Sequence, residues 1–325
     1  MISHAQGFPG HMFSETKDSR GNKFYNYVRE SSWLQEPGIL PSEYSDLHES
    51  FSYWFNDLVT LAYSLQDSSL KAQVHQAAQT VLDLQTDDGW IGPEDHPNQE
   101  RVFWGRYPFF LGLIQLAEAN STWTDPVDSL RRFMDLANQI LHAGGKGYRI
   151  CEVGAYCTCG QVRVADFMIT IQWLLQNHLS ESQDEALWDT MNPLQDQNQY
   201  NWRNDIPMVL INQLFRILQW TSGLKSPAVL RRSTRNDSLL QTAASAVSLT
   251  TLDHGSPSGS ILGDEILRDQ KPSMRSELCT AVETGYSLAY FYQATGDNTY
   301  ADHAELVYYN ALPAKRHTAA GVISI

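Results

Sequence analysis

The chain has 325 residues, 42% of them apolar and 11% aromatic. That describes a globular protein rather than a disordered one, long enough for one large domain or two ordinary ones. The net charge of −14, with its basic residues scattered, argues against nucleic acid, whose phosphates require clustered Lys and Arg. No apolar run approaches the roughly 20 residues of a membrane span. The N-terminal MISHAQGFPGHMF lacks a basic region followed by an apolar core, so the chain as written is expected to stay in the cytosol.

Residues 1–43 read as a loop-rich N-terminal segment, with aromatics at Phe24, Tyr25, Tyr27 and Trp33 and prolines at 37 and 41. From residue 44 the pattern turns helical. Over 44–65, Leu47, Phe51, Trp54, Phe55, Leu58, Val59 and Ala62 recur at mixed three- and four-residue steps, the mark of an amphipathic helix. Asp67 and Ser68 interrupt it. A partner helix over 70–85 turns Val74, Ala77, Ala78, Val81, Leu82 and Leu84 inward, which makes an αα-hairpin. The acidic turn TDDGWIGPED follows, with Trp90 at its tip: either a helix-ending loop or a loop offering carboxylates and an indole to a sugar.

The next pair spans 104–120 and 125–142. Phe109, Leu113, Leu116 and Ala117 mark one face; Leu130, Phe133, Met134, Ala137 and Leu141 mark the other. Paired helices every 40–50 residues or so trace an α-helical repeat architecture. Residues 143–160 break the pattern with a Gly- and Cys-rich run. Four cysteines, at 151, 157, 159 and 279, are too few and too irregular for a disulfide scaffold, and Cys151, Cys157 and Cys159 lack the usual two-residue spacing of a metal cluster. A helix returns in VADFMITIQWLLQNH, and 201–220 interrupts again. LTTLDHG has some extended character.

The stretch 252–314 carries most of the chemistry. A Gly/Pro/Ser-rich loop acquires Asp264 and Glu265, then enters a helix near Ser276, with Ser273 and Ser276 as alternative N-caps. Val282, Tyr286, Ala289, Tyr290 and Ala294 read as its buried face. A turn at 296–298 leads to a second helix ended by Pro313.

SELCTAVETGYSLAYFYQATGD and YADHAELVYYNALPA resemble the glycoside hydrolase family 127 group, the β-L-arabinofuranosidase-like proteins. YSDLHESFSYWFNDLVTLAYSL, QTDDGWIGPE and WGRYPFFLGLIQLAEA resemble the same family, in the family's order. The resemblance implies an all-α fold, an (α/α)6-type toroid of helical hairpins, complete or not, over 44–314. It leaves 143–160, 201–220 and the short tail 315–325 outside the family pattern. A truncated or mis-spliced member is expected, with insertion loops in an intact protein as the rival account.

The family's characterised members hold a zinc with one Glu and three Cys. One Cys acts as nucleophile and a separate Glu as acid/base. Carried to this chain, the resemblance implies zinc ligation by Glu277 and Cys279. A carboxylate and a thiolate two residues apart reach one ion only if they straddle the helix boundary, since inside a regular helix they point about 200° apart. The helix N-terminus favours both anions. The family's remaining cysteines lie later in the chain, and here none follows Cys279.

Glu265 is the nearest acid/base carboxylate, although the family position aligns with 259–261. Glu283, four residues after Cys279, reads as a surface charge rather than a partner of the site. His254, Trp90, Trp104, Tyr44 and Asp46 are the expected sugar contacts. The expected partner is a carbohydrate, cleaved as a non-reducing-end L-arabinofuranoside or related sugar. The alternative is a carbohydrate-binding relic that has lost its nucleophile.

Overall fold

In a computed structural model of the chain, residues 50–92, 94, 100–152, 154–179, 184–196, 223–263, 278–314, 317–318 and 321–322 are described. The fold is all-α. The named strands among the described residues, His317–Thr318 and Gly321–Val322, form a two-residue antiparallel ladder. The chain divides into two units, Met1–Gly160 with Asp166–Leu194, and Gln161–Ala165 with Gln195–Ile325.

In the first unit α1 (Ser50–Ser64) buries Phe51, Phe55, Leu58, Val59 and Ala62, as its spacing predicts. α1 ends before Gln66, whose φ of 55° is left-handed, and α2 (Ser68–Asp83) starts from its N-cap Asp67. The Asp67 carboxylate accepts from the backbone N–H of Ser69 at 2.8 Å and of Leu70 at 3.0 Å, satisfying donors that a first helical turn leaves unpaired.

The pair α3 (Tyr107–Ala119) and α4 (Asp125–His142) falls almost where expected, with a 3₁₀ turn at Trp104–Arg106 leading into α3. Phe109 of α3 meets Phe55 of α1 with ring centroids 4.7 Å apart. Pro126 with Asp125 and Asp128 opens α4 and His142 closes it, the order the helix dipole favours. Phe133 of α4 sits in an aromatic cluster, 4.6 Å from Phe110, 5.3 Å from Trp90 and 5.9 Å from Phe103 between ring centroids.

The segment 143–160 is more ordered than its composition suggests. Gly154–Val162 is helical (α5), and Cys151 and Cys157 form a single disulfide, which takes both out of the metal cluster that the run could have offered. α6 (Val164–Asn177) and α7 (Asp184–Asp196) follow.

The second unit contains α8 (Ser226–Thr234), α9 (Ser238–His254), α10 (Leu278–Thr295) and α11 (Asn298–Leu306). α9 takes in LTTLDH, so the extended character read there yields to helix. Asp297 caps α11 through the Thr299 N–H at 2.9 Å, as the turn at 296–298 predicts. α11 runs on into a π-helical turn, Val307–Ala311, and a last helical turn at Leu312–Ala314.

α10 departs from expectation. Val282 is 43% exposed and Ala289 is exposed, whereas Thr280, Glu283, Thr284 and Ser287 are buried. The expected buried face is reversed at these positions, and Glu283 is not a surface charge. Its carboxylate lies against Arg163 and Lys225, which explains how an ionised group sits inside.

Candidate functional site

In the first unit the acidic turn after α2 closes on itself. Trp90 is fully buried, and its indole N–H donates to Glu94 Oε2 at 3.0 Å. Glu94 is ion-paired with Arg106, and both side chains are buried. Arg106 also donates from Nε to the Ile91 carbonyl and from Nη1 to the Val102 carbonyl, each at 3.0 Å, with its guanidinium 4.9 Å from the Trp90 ring centroid.

Gly92 belongs to this knot, because a Cβ there would run into Arg106 Nη2 and Glu94 Oε2. Outside the knot, Asp88 pairs with Arg101. Burial raises the Asp88 pKa, but hydrogen bonds from Arg101 and Thr86 outweigh it and hold the carboxyl below the usual range. Trp104 is 8% exposed, and its indole N–H has no hydrogen-bond acceptor among the described residues.

In the second unit α9 ends at His254, and the described part of the loop after it, 255–263, folds back on the end of α9. The Leu262 N–H donates to the His254 carbonyl at 2.6 Å, the Ser256 N–H to the Ser260 carbonyl at 2.8 Å, and His303 Nε2 contacts the Gly259 carbonyl at 2.8 Å. His303 therefore pins the loop to α11. α10 follows, with Cys279 exposed in its first turn. One turn on, Glu283 shares its carboxylate between Arg163 Nη1 at 3.2 Å and Lys225 Nζ at 3.4 Å. Lys225, itself fully buried, lies 4.8 Å from the Tyr286 ring centroid.

Of the residues singled out from sequence, Trp90 and Trp104 therefore lie in the core of the first unit, and His254 and Cys279 at the ends of α9 and α10 in the second. Tyr44, Asp46, Glu265 and Glu277, with Asp264, Ser273 and Ser276, lie outside the described residues. Sequence reasoning passed over Glu283 as a buried group. The signal was available: Thr280, Glu283, Thr284 and Ser287 stand three and four residues apart, a continuous polar stripe on one helix face.

A zinc requires three or four donors within reach. Among the described residues no three His, Cys, Asp or Glu side chains come together, and Cys151 and Cys157 are taken up by their disulfide. Cys279 would be one donor of such a set, and Glu277, the other donor read from the sequence, lies outside the described residues.

Comparison with solved structures bears on the fold. The structure of the GH127 β-L-arabinofuranosidase from Geobacillus stearothermophilus T6 superposes with a TM-score of 0.66 at 12% identity, over 97% of this chain and 53% of that one. A second GH127 β-arabinofuranosidase gives 0.62 at 14% identity, over 97% and 50%. The chain has the helical-hairpin toroid fold of the family 127 glycoside hydrolases. It spans about half the length of these two family 127 structures. A polysaccharide lyase also superposes, with a TM-score of 0.53 at 15% identity over 83% of this chain and 39% of its own, so family 127 is one of several chemistries on related folds. No protein-family model matches the chain, and no curated protein sequence matches it. No described helix is long and apolar enough to cross a membrane.

Proposed function

We propose that the protein is a glycoside-hydrolase-like protein acting on non-reducing-end L-arabinofuranosides or related sugars. The observation that carries this reading is the likeness in fold, over 97% of the chain, to two GH127 arabinofuranosidases. Glycoside cleavage needs a protonated carboxyl to donate to the departing oxygen and a nucleophile or activated water on the other face of the sugar. In this reading Glu265 holds the donated proton, and the loop pinned by His303 between α9 and α10 leads toward it. Cys279, exposed at the start of α10, is the thiol nearest that loop in sequence.

The test is release of the chromophore from a chromogenic β-L-arabinofuranoside by the full chain, with Glu265→Gln and Cys279→Ser beside it. Turnover that falls at least about a hundredfold in Glu265→Gln supports a proton donor there. Turnover indifferent to Glu265 removes it from the role. Zinc at Glu277 and Cys279 belongs to the same proposal and is read separately, by elemental analysis. About one zinc per chain, lost in Cys279→Ser, supports it; a folded chain without zinc sinks it.

The second reading is a carbohydrate-binding protein without turnover. What favours it is that two of the four cysteines are taken up in the Cys151–Cys157 disulfide and cannot join a thiolate ligand set. Sugar binding by calorimetry with no chromophore release would select it.

A further inference from the structure

Residues 145–152 lie against 100–103 in the first unit, and their two ends are held by different means. The turn at 145–150 is anchored in the core. Tyr148 is fully buried, its hydroxyl donates to the Leu194 carbonyl at 3.4 Å, and the Phe103 N–H donates to the Gly147 carbonyl at 3.2 Å. Gly147, with φ 81°, permits this approach, because a Cβ there would collide with the Arg101 carbonyl oxygen.

The outer end, 151–152, is held otherwise. The Glu152 N–H donates to both carboxylate oxygens of Glu100 at 3.0 and 2.9 Å, and Cys151 is bonded to Cys157. The hydrogen bond brings two acidic residues together where Glu152 is exposed. Water competes for such a bond and the like charges oppose it, so the contact is weak by itself. The covalent bond is what keeps it made.

That bond is placed for exchange. Cys151 is half-buried and Cys157 buried, so a thiolate arriving from solvent meets Cys151 first. Cys157 lies in the first turn of α5, where the helix N-terminus favours the departing thiolate. A separation of six residues also constrains the unfolded chain less than a long-range bridge would, so the core does not depend on it.

We propose that the Cys151–Cys157 disulfide is a reversible redox latch: oxidised, it holds residues 151–152 on Glu100; reduced, it releases them while Tyr148 keeps the preceding turn in the core. In the opening step one thiolate of a dithiol reductant attacks Cys151 Sγ, and Cys157 leaves as a thiolate. The second thiol of the reductant then displaces Cys151. The dithiol becomes a disulfide, and its two electrons and two protons end on Cys151 and Cys157. Release takes the Glu152 donor from Glu100, the neighbour in sequence of Arg101, which pairs with Asp88 at the edge of the acidic turn.

Hydrogen exchange on the full chain, oxidised and after dithiothreitol without denaturant, tests the latch. In the reduced protein the Glu152 amide is expected to exchange at least about tenfold faster, while the amides of α4 over 130–141 keep their protection. Reoxidation with glutathione disulfide is expected to restore the slow exchange. Cys151→Ser is expected to show the open pattern without reductant, and Cys159→Ser, which leaves the bond intact, the closed one. A bond that resists dithiothreitol until the protein unfolds overturns the latch, and so does a Glu152 amide equally protected in both states. Loss of protection in α4 together with Glu152, on reduction or in Cys151→Ser, makes the bond a structural staple and overturns it as well.

Discussion

Helices α4 and α10 have the same length, 18 residues each, and opposite logic. In α4, Leu130, Phe133, Met134, Ala137 and Leu141 recur at three- and four-residue steps, and all five are buried. In α10 the inner face includes Thr280, Glu283, Thr284 and Ser287, while Leu278, Val282 and Tyr292 are 40%, 43% and 43% exposed. Periodicity thus says that a helix has two faces and not which one is inside. The usual rule holds in α4 because apolar burial is favourable and nothing competes with it. In α10 it holds for Ala281, Leu288 and Phe291, which are buried, but polar residues join them because Arg163 and Lys225 wait inside for Glu283, and a carboxylate met by two cations can be buried where a lone one cannot.

The sharpest way to break this contrast is at its apolar end. Phe133→Ala removes a ring packed against Phe110, Trp90, Phe103 and Phe167. It is expected to destabilise the fold by about 3–5 kcal/mol, read as a lower denaturant midpoint. On α10, Glu283→Leu takes away the carboxylate that two buried cations share. The expected loss is about 3 kcal/mol, although the same substitution on a solvated helix face would be close to neutral. A midpoint that moves by less than a tenth of that would return Glu283 to the surface.

How much of this was legible follows the same line. The α3–α4 hairpin was read nearly to its ends because local signals agreed: proline and acidic residues at the start of α4, a histidine at its end, apolar residues on one stripe. Asp67 belongs to that legible set, since its carboxylate accepts two backbone N–H groups at the start of α2. Asp67→Ala is expected to cost about 1 kcal/mol by chemical denaturation.

The reversal in α10 depends on residues far away in sequence. Arg163 and Lys225 precede Glu283 by 120 and 58 positions, and nothing near Glu283 announces them. Trp90 illustrates the same limit at the candidate site. Its loop looked apt for a sugar, but Arg106, sixteen residues later, and Glu94 close over it. The smallest predicted effect is therefore the most diagnostic for the inversion. Val282→Ser, placed on the face that the apolar pattern assigns to the core, is expected to change stability by less than about 0.5 kcal/mol. A loss of 2 kcal/mol or so, comparable to a fully buried valine, would mean that this face is covered after all.

The Cys151–Cys157 bridge makes the history of a preparation a variable of the molecule. The segment it closes carries Glu152, whose backbone N–H donates to both carboxylate oxygens of Glu100 at 3.0 and 2.9 Å. Disulfides persist in oxidising compartments and are reduced in a thiol-rich cytosol. Of the four cysteines, two are bridged, so oxidised protein should titrate two thiols after unfolding and reduced protein four. The choice of expression host thus decides whether this loop is delivered tied or open.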